Sequence, residues 1–178
     1  NYLRAVQRRI FPIALLAAVL LSALPLAVCA ADPEVSFQTA GNYAAGDGPY
    51  SVAVGYFNAD GIPDLAVTNA YSGADASTHK VTVLLGNGDG SFRSEGYYHS
   101  IPYPYGLAVG DFDNDYNPDL AVSTVLQGRV YILLGKGDGT FEPKQSNGES
   151  PSVGGNPYNI AVADFNGDGK LDLATANL

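Results

Sequence analysis

Four carboxylates, Asp111, Asp113, Asp115 and Asp119, fall within nine residues of the stretch DFDNDYNPDL, in a chain with only eighteen acidic residues among 178. Three kinds of chemistry use such a cluster. A pair of carboxylates can act as acid and base across a glycosidic bond. Oxygen side chains at alternating positions can wrap a hard cation. Asp and Asn also favour turns with no ligand at all. Taken alone, the stretch does not choose among them.

The choice comes from repetition. PYSVAVGYFNADGIPDLAV from Pro49, PYGLAVGDFDNDYNPDLAV from Pro104 and PYNIAVADFNGDGKLDLAT from Pro157 align without a gap. From Pro49 to Pro104 is 55 residues, and from Pro104 to Pro157 is 53. Recurrence in one register, with Phe and Leu between the acids, suits repeated metal loops better than one asymmetric active site. Counted from the first loop position, the second copy places Asp111, Asp113, Asp115 and Asp119 at 1, 3, 5 and 9, and the third places Asp164, Asn166, Asp168 and Asp172 there. Position 7, Asn117 or Lys170, would add a backbone carbonyl. Without a cation these carboxylates repel one another. Calcium takes six to eight oxygens in a flexible geometry, so it is the expected ion. The first copy departs from the pattern. Tyr56 replaces the first acid and leaves Asn58, Asp60 and Asp64, with Ile62 at the carbonyl position, so this loop is expected to bind weakly or to be structural. Tyr116 stands where the other copies have Gly61 and Gly169, a position that calls for positive φ.

Other readings of the same composition fall away. GNGDG from Gly86 and GKGDG from Gly135 suggest phosphate cradles, but no helix opening with Lys-Ser/Thr follows, and they read as hairpin turns. No nucleophile elbow and no His-rich cluster is present, and His79 and His99 are expected to be structural. Several tyrosines sit beside Pro or Gly (Tyr50, Tyr103, Tyr105, Tyr158) and are expected to pack between repeats rather than stack on sugars. The first 31 residues read as a secretory signal peptide: Arg4, Arg8 and Arg9, an apolar run from Ile10 to Leu26, then small residues before Asp32. A retained membrane anchor is the alternative. The leader holds three of the nine basic residues and none of the eighteen acids, so the remainder has six against eighteen, a net charge of −12. That excludes nucleic acid as a natural partner and favours bound cations. The single cysteine, Cys29, lies in the leader, so residues 32–178 contain no disulfide.

The loops must be held by short strands. Ser51 to Phe57 alternates around Val52, Val54 and Tyr56, Asp64 to Thr68 is short and apolar, and Val81 to Leu85 is apolar and rich in β-branched residues before a glycine-rich turn. A fourth strand is expected from Phe92. Four short strands in about 55 residues, repeated, read as an all-β propeller of four-stranded blades. The repeats are placed at 49–103, 104–156 and 157–178, the last of them partial. Phe37 precedes Pro49 as Phe92 precedes Pro104, so residues 35–48 read as the last strand of a closing blade. About two and a half blades do not close a ring. The chain is therefore expected to be part of a longer propeller, the alternatives being assembly with other copies or a different compact β fold.

The D-F-[DN]-x-D-x-x-x-D-L loop, with P-Y-x-[VIL]-A-V-[GA] before it and L-L-G-x-G-D-G-[ST]-F after it, resembles FG-GAP or VCBS-type repeats, similar to the blades of integrin α-subunit propellers. The resemblance covers Phe37 to Leu178. It implies a propeller with calcium between the first two strands of a blade, and a role in extracellular adhesion or in protein or carbohydrate binding. The expected function is a secreted, periplasmic or cell-surface calcium-binding module without catalytic activity and, once the leader is cleaved, without membrane insertion. The alternative is an accessory propeller of an extracellular enzyme, such as a polysaccharide-degrading one.

Overall fold

The computed structural model describes residues 2–7, 38–70, 80–99, 101–144 and 151–178. All regular structure among them is β: β1 (Tyr2–Gln7), β2 (Gln38–Ala44), β3 (Pro49–Gly55), β4 (Asp64–Asn69), β5 (Lys80–Gly86), β6 (Phe92–His99), β7 (Pro104–Gly110), β8 (Asp119–Thr124), β9 (Arg129–Gly135), β10 (Phe141–Pro143), β11 (Pro157–Ala163) and β12 (Asp172–Asn177). Antiparallel neighbours in chain order form two four-stranded sheets, β3-β4-β5-β6 and β7-β8-β9-β10, and a two-stranded one, β11-β12. These are two propeller blades and the first half of a third.

Each four-stranded blade is a meander whose last two strands are joined by a tight turn. Asn87 N–H donates to the Ser91 carbonyl (2.9 Å) and Lys136 N–H to that of Thr140 (3.0 Å), closing the two glycine-rich hairpins. Gly88 and Gly90 (φ 81° and 87°) and Gly137 and Gly139 (φ 72° and 90°) supply the left-handed backbone these turns require. Pro143 lies in β10, the outermost strand, where its missing N–H leaves no ladder bond unmade.

Blades pack face to face through their first strands. β7 lies against β3 and β4, and β11 against β7 and β8. One core joins Phe57, Val81, Val83 and Leu85 of the first blade to Leu107, Leu120, Leu133 and Phe141 of the second. A smaller one joins Ala121 and Val130 of the second to Ile160 of the third. Equivalent positions show the geometry: Leu107 and Ile160 are 6% and 8% exposed because a preceding blade covers them, whereas Val52 on β3 is 49% exposed. Polar contacts lock the same seam. The Thr68 hydroxyl accepts from Ser51 N–H (3.0 Å) in its own blade and donates to the Tyr105 carbonyl (2.7 Å) of the next. Gly139 N–H donates to the Phe57 carbonyl (2.7 Å), and the Phe57 and Phe141 rings meet edge to face with centroids 5.3 Å apart.

β2 lies in the stretch expected to complete a closing blade, and it pairs antiparallel with β1 from Tyr2↔Ala44 to Gln7↔Gln38. Tyr2–Gln7 is thus the described part of the expected leader, while its apolar run, Ile10 to Leu26, lies outside the described residues. Most of the Asn69 to Lys80 loop, including His79, lies outside them as well. Among the described residues no helix is long and apolar enough to cross a membrane, which says nothing of β-barrels.

Candidate metal centre

Each acidic loop joins the first strand of a blade to its second, and its backbone is set by its own side chains. In the second copy, Asp111 accepts from the N–H groups of Asp115 (3.2 Å) and Tyr116 (2.9 Å), Asp113 from that of Asp115 (3.2 Å), and Asp115 from that of Asn117 (2.8 Å). The third copy repeats this pattern. Asp164 accepts from Gly167 (2.7 Å), Asp168 (3.1 Å) and Gly169 (2.8 Å), Asn166 from Asp168 (2.8 Å), and Asp168 from Lys170 (2.9 Å). The first keeps the part its residues allow: Asn58 accepts from Asp60 (3.2 Å) and Asp60 from Ile62 (2.7 Å). These are interlaced Asx turns, in which a short polar side chain substitutes for a backbone acceptor.

The turns impose one backbone on three different sequences. Position 4 is left-handed whether it is Ala59, Asn114 or Gly167 (φ 58°, 62° and 77°), and so is position 6 in Gly61, Tyr116 and Gly169 (φ 75°, 69° and 82°). Tyr116 adopts the glycine conformation with its ring almost wholly in solvent. The expectation that this position needs positive φ holds, and the misfit residue bends to the loop rather than the loop to the residue.

In the second copy the result is a convergence of charge. Asp111, Asp113 and Asp115 each offer one carboxylate oxygen, and these oxygens lie within 4.8 Å of one another. An all-oxygen, triply anionic donor set fits a hard divalent cation and offers nothing to a soft one. Hydrogen bonds already favour the charged forms needed for ligation. The Asn117 N–H holds the Asp115 carboxyl below its ordinary value, and the Gly169 N–H does the same for Asp164.

Position 9 has a second role. Asp119 is fully buried, with one oxygen accepting from Phe112 N–H (2.7 Å) and the other from Gly135 N–H (2.8 Å). Asp64 does the same with Phe57 (2.7 Å) and Gly86 (2.9 Å), and Asp172 accepts from Phe165 (3.0 Å). This carboxylate therefore ties the loop entrance to the end of the third strand. Burial pushes the Asp119 carboxyl above its ordinary value, against the two N–H groups that lower it, and the charges of Asp113 and Asp115 add to the rise. The tie depends on glycine, because a methyl at Gly135 would collide with the Pro118 carbonyl oxygen and one at Gly86 with that of Pro63. Spacing alone marks position 9 as acidic. That one of its partners is the Gly135 N–H, a strand away, emerges only from the pairing of β8 with β9.

Comparison with known families agrees with this architecture. An FG-GAP repeat model matches residues 48–84, and an FG-GAP-like repeat model matches residues 111–175. No curated protein matches the chain. The blades, their repeated acidic loops and these two matches together place the chain in the FG-GAP repeat family.

Proposed function

We propose that the chain is a calcium-binding extracellular propeller module that holds a ligand without transforming it. The observation that carries the reading is the Asp111, Asp113 and Asp115 cluster, three carboxylate oxygens drawn together by a loop whose backbone recurs in two other blades. The side chains of Asp111, Asp113 and Asp115 would hold the ion in the second copy, with Asp119 and the Asn117 carbonyl completing the set. Asp164, Asn166, Asp168 and Asp172, with the Lys170 carbonyl, would do so in the third. Asn58, Asp60 and Asp64, with the Ile62 carbonyl, form the weakest site, since Tyr56 replaces an anionic ligand with a phenol.

The bound ion cancels repulsion among the acids and stiffens the link between the first two strands of a blade. That is a structural task and needs no reacting atom. Extracellular calcium modules work at dissociation constants of about 10⁻⁴–10⁻³ M, matching exposed loops of this kind. The basic, apolar and small-residue order of the first 31 residues supports export to the periplasm, cell surface or medium. Calorimetric titration of the chain with calcium tests the reading. Saturable binding that loses a site in Asp113→Ala is expected, and no binding to the folded protein overturns it.

A further inference from the structure

Two Asn-Gly pairs lie among the described residues, Asn87-Gly88 in the turn between β5 and β6 and Asn166-Gly167 in the third acidic loop, and a further pair, Asn147-Gly148, lies outside them. In such a pair the glycine nitrogen reaches the side-chain amide carbon with least hindrance, because glycine has no Cβ and the freest backbone. The two described pairs are alike in much of what governs that approach. All four residues are exposed, and both glycines are left-handed, Gly88 at φ 81° and Gly167 at φ 77°. Exposure at the turn is not owed to the place of its blade: Lys136, in register with Asn87 in the second copy, is exposed although blades pack on both sides of it.

The pairs differ in their hydrogen bonds. Gly167 N–H donates to the Asp164 carboxylate (2.7 Å), so the nitrogen that would attack holds its proton against an anion. The Asn166 amide is fixed at both of its atoms, the oxygen accepting from Asp168 N–H (2.8 Å) and the nitrogen donating to the Asp168 carboxylate (3.3 Å). Gly88 N–H, by contrast, donates to no group among the described residues. The Asn87 amide is held at one point, from its nitrogen to the Ser91 hydroxyl (2.9 Å), an exposed bond that water can replace.

We propose that Asn87-Gly88 is a site of covalent self-modification by intramolecular deamidation, and that Asn166 is protected from the same reaction by the hydrogen bonds of its loop. Hydroxide removes the Gly88 amide proton, and the nitrogen bonds to the Asn87 Cγ. The Cγ–Nδ2 bond breaks, and the nitrogen leaves as ammonia with a proton from solvent. Water then opens the five-membered imide at either carbonyl, leaving aspartate or its β-linked isomer. One water is consumed and one ammonia released, with no redox change. The site lies among bonds that matter to the blade. Asn87 N–H closes the turn on the Ser91 carbonyl (2.9 Å), Gly86 N–H holds Asp64 (2.9 Å), and the Gly90 carbonyl accepts from the Tyr43 hydroxyl of β2 (3.0 Å). A β-linkage at position 87 adds a main-chain methylene among them, and the new carboxylate stands two positions from Asp89. Modification therefore loosens the tie of the turn to the first acidic loop and to β2.

The full chain is incubated with chelator, so that no cation shields the acidic loop, at mildly alkaline pH and physiological temperature over several weeks. Tryptic cleavage after Lys80 and Arg93 releases residues 81–93, in which Asn87 is the one asparagine, and fragment ions in the mass spectrometer separate Asn166 from Asn147. Exchange of NH₂ for OH is expected about tenfold faster at Asn87 than at Asn166, the factor set by a hydrogen bond that must break before the nitrogen can attack. Labelling of residues 81–93 by protein isoaspartyl methyltransferase should accompany it. Asn87→Lys, which installs the residue of the second copy, should end the labelling and hold the melting temperature steady during incubation while that of wild type falls. Conversion at Asn166 as fast as at Asn87, or conversion of Asn87 in an isolated 81–93 peptide but not in the folded chain, overturns the site. A melting temperature that falls equally in Asn87→Lys overturns its structural consequence.

Discussion

The backbone N–H of Tyr116 donates to the carboxylate of Asp111 across 2.9 Å, as that of Gly169 does to Asp164 across 2.8 Å. A tyrosine therefore occupies a glycine's conformation at φ 69°. A left-handed conformation costs an L-residue about 1–2 kcal/mol, and the larger unfolded-state entropy of glycine returns part of that. Tyr116→Gly is expected to stabilise the protein by about 0.5–1 kcal/mol in urea unfolding. Gly169→Ala, the reverse change in the third loop, should destabilise by a similar amount.

Asp119 joins two backbone N–H groups that lie 23 positions apart, Phe112 and Gly135. Removing the carboxylate leaves both donors buried without an acceptor. Asp119→Ala should cost about 2–4 kcal/mol, whereas Asp113→Ala, a change at an exposed loop position, should cost less than about 1 kcal/mol in metal-free buffer. Denaturant curves with chelator present separate the two, and equal losses would contradict the distinct roles.

Acid titration isolates the hairpin carboxylates. The Asp138 carboxyl lies below its ordinary value of 3.8 because the Thr140 hydroxyl and N–H donate to it, and Asp89 is lowered in the same way by Ser91. A carboxyl lowered in the folded state contributes stability above its unfolded pKa and loses that contribution as pH falls through the folded value. The melting temperature of wild type should therefore exceed that of Asp138→Asn at neutral pH, and the gap should narrow below about pH 4. A gap that is constant or widens with acidification contradicts the assignment.

The parts of this molecule that repeat were readable in its sequence. Three aligned copies carry the strands, the glycine turns and the acids at positions 1, 3, 5 and 9, because each of those depends on residues close in the chain. What depends on pairing between distant strands was not readable. The reach of Asp119 to Gly135 needs the β8–β9 register, and the Thr68 bridge to Tyr105 needs one blade laid on another. A row of tyrosines is intermediate. Tyr50, Tyr105 and Tyr158 recur visibly as Pro-Tyr, but that the rings of Tyr50 and Tyr158 both reach Tyr105 follows from the packing of one blade on the next. The partner of β2 escaped for the same reason, since the pattern marked an edge strand and not the β1 segment that pairs with it.

Thermal unfolding tests most directly the proposal that the clustered acids are a cation site and not a solvated turn. Calcium at about a hundredfold excess over its dissociation constant adds about 2.7 kcal/mol per site. For a chain of this length that raises the melting temperature by about 5–10 °C. This rise is expected in wild type, with its loss to chelator and its reduction in Asp115→Ala and in Asp168→Ala. A melting temperature indifferent to calcium in the folded protein, or a rise that survives both substitutions together, would contradict it.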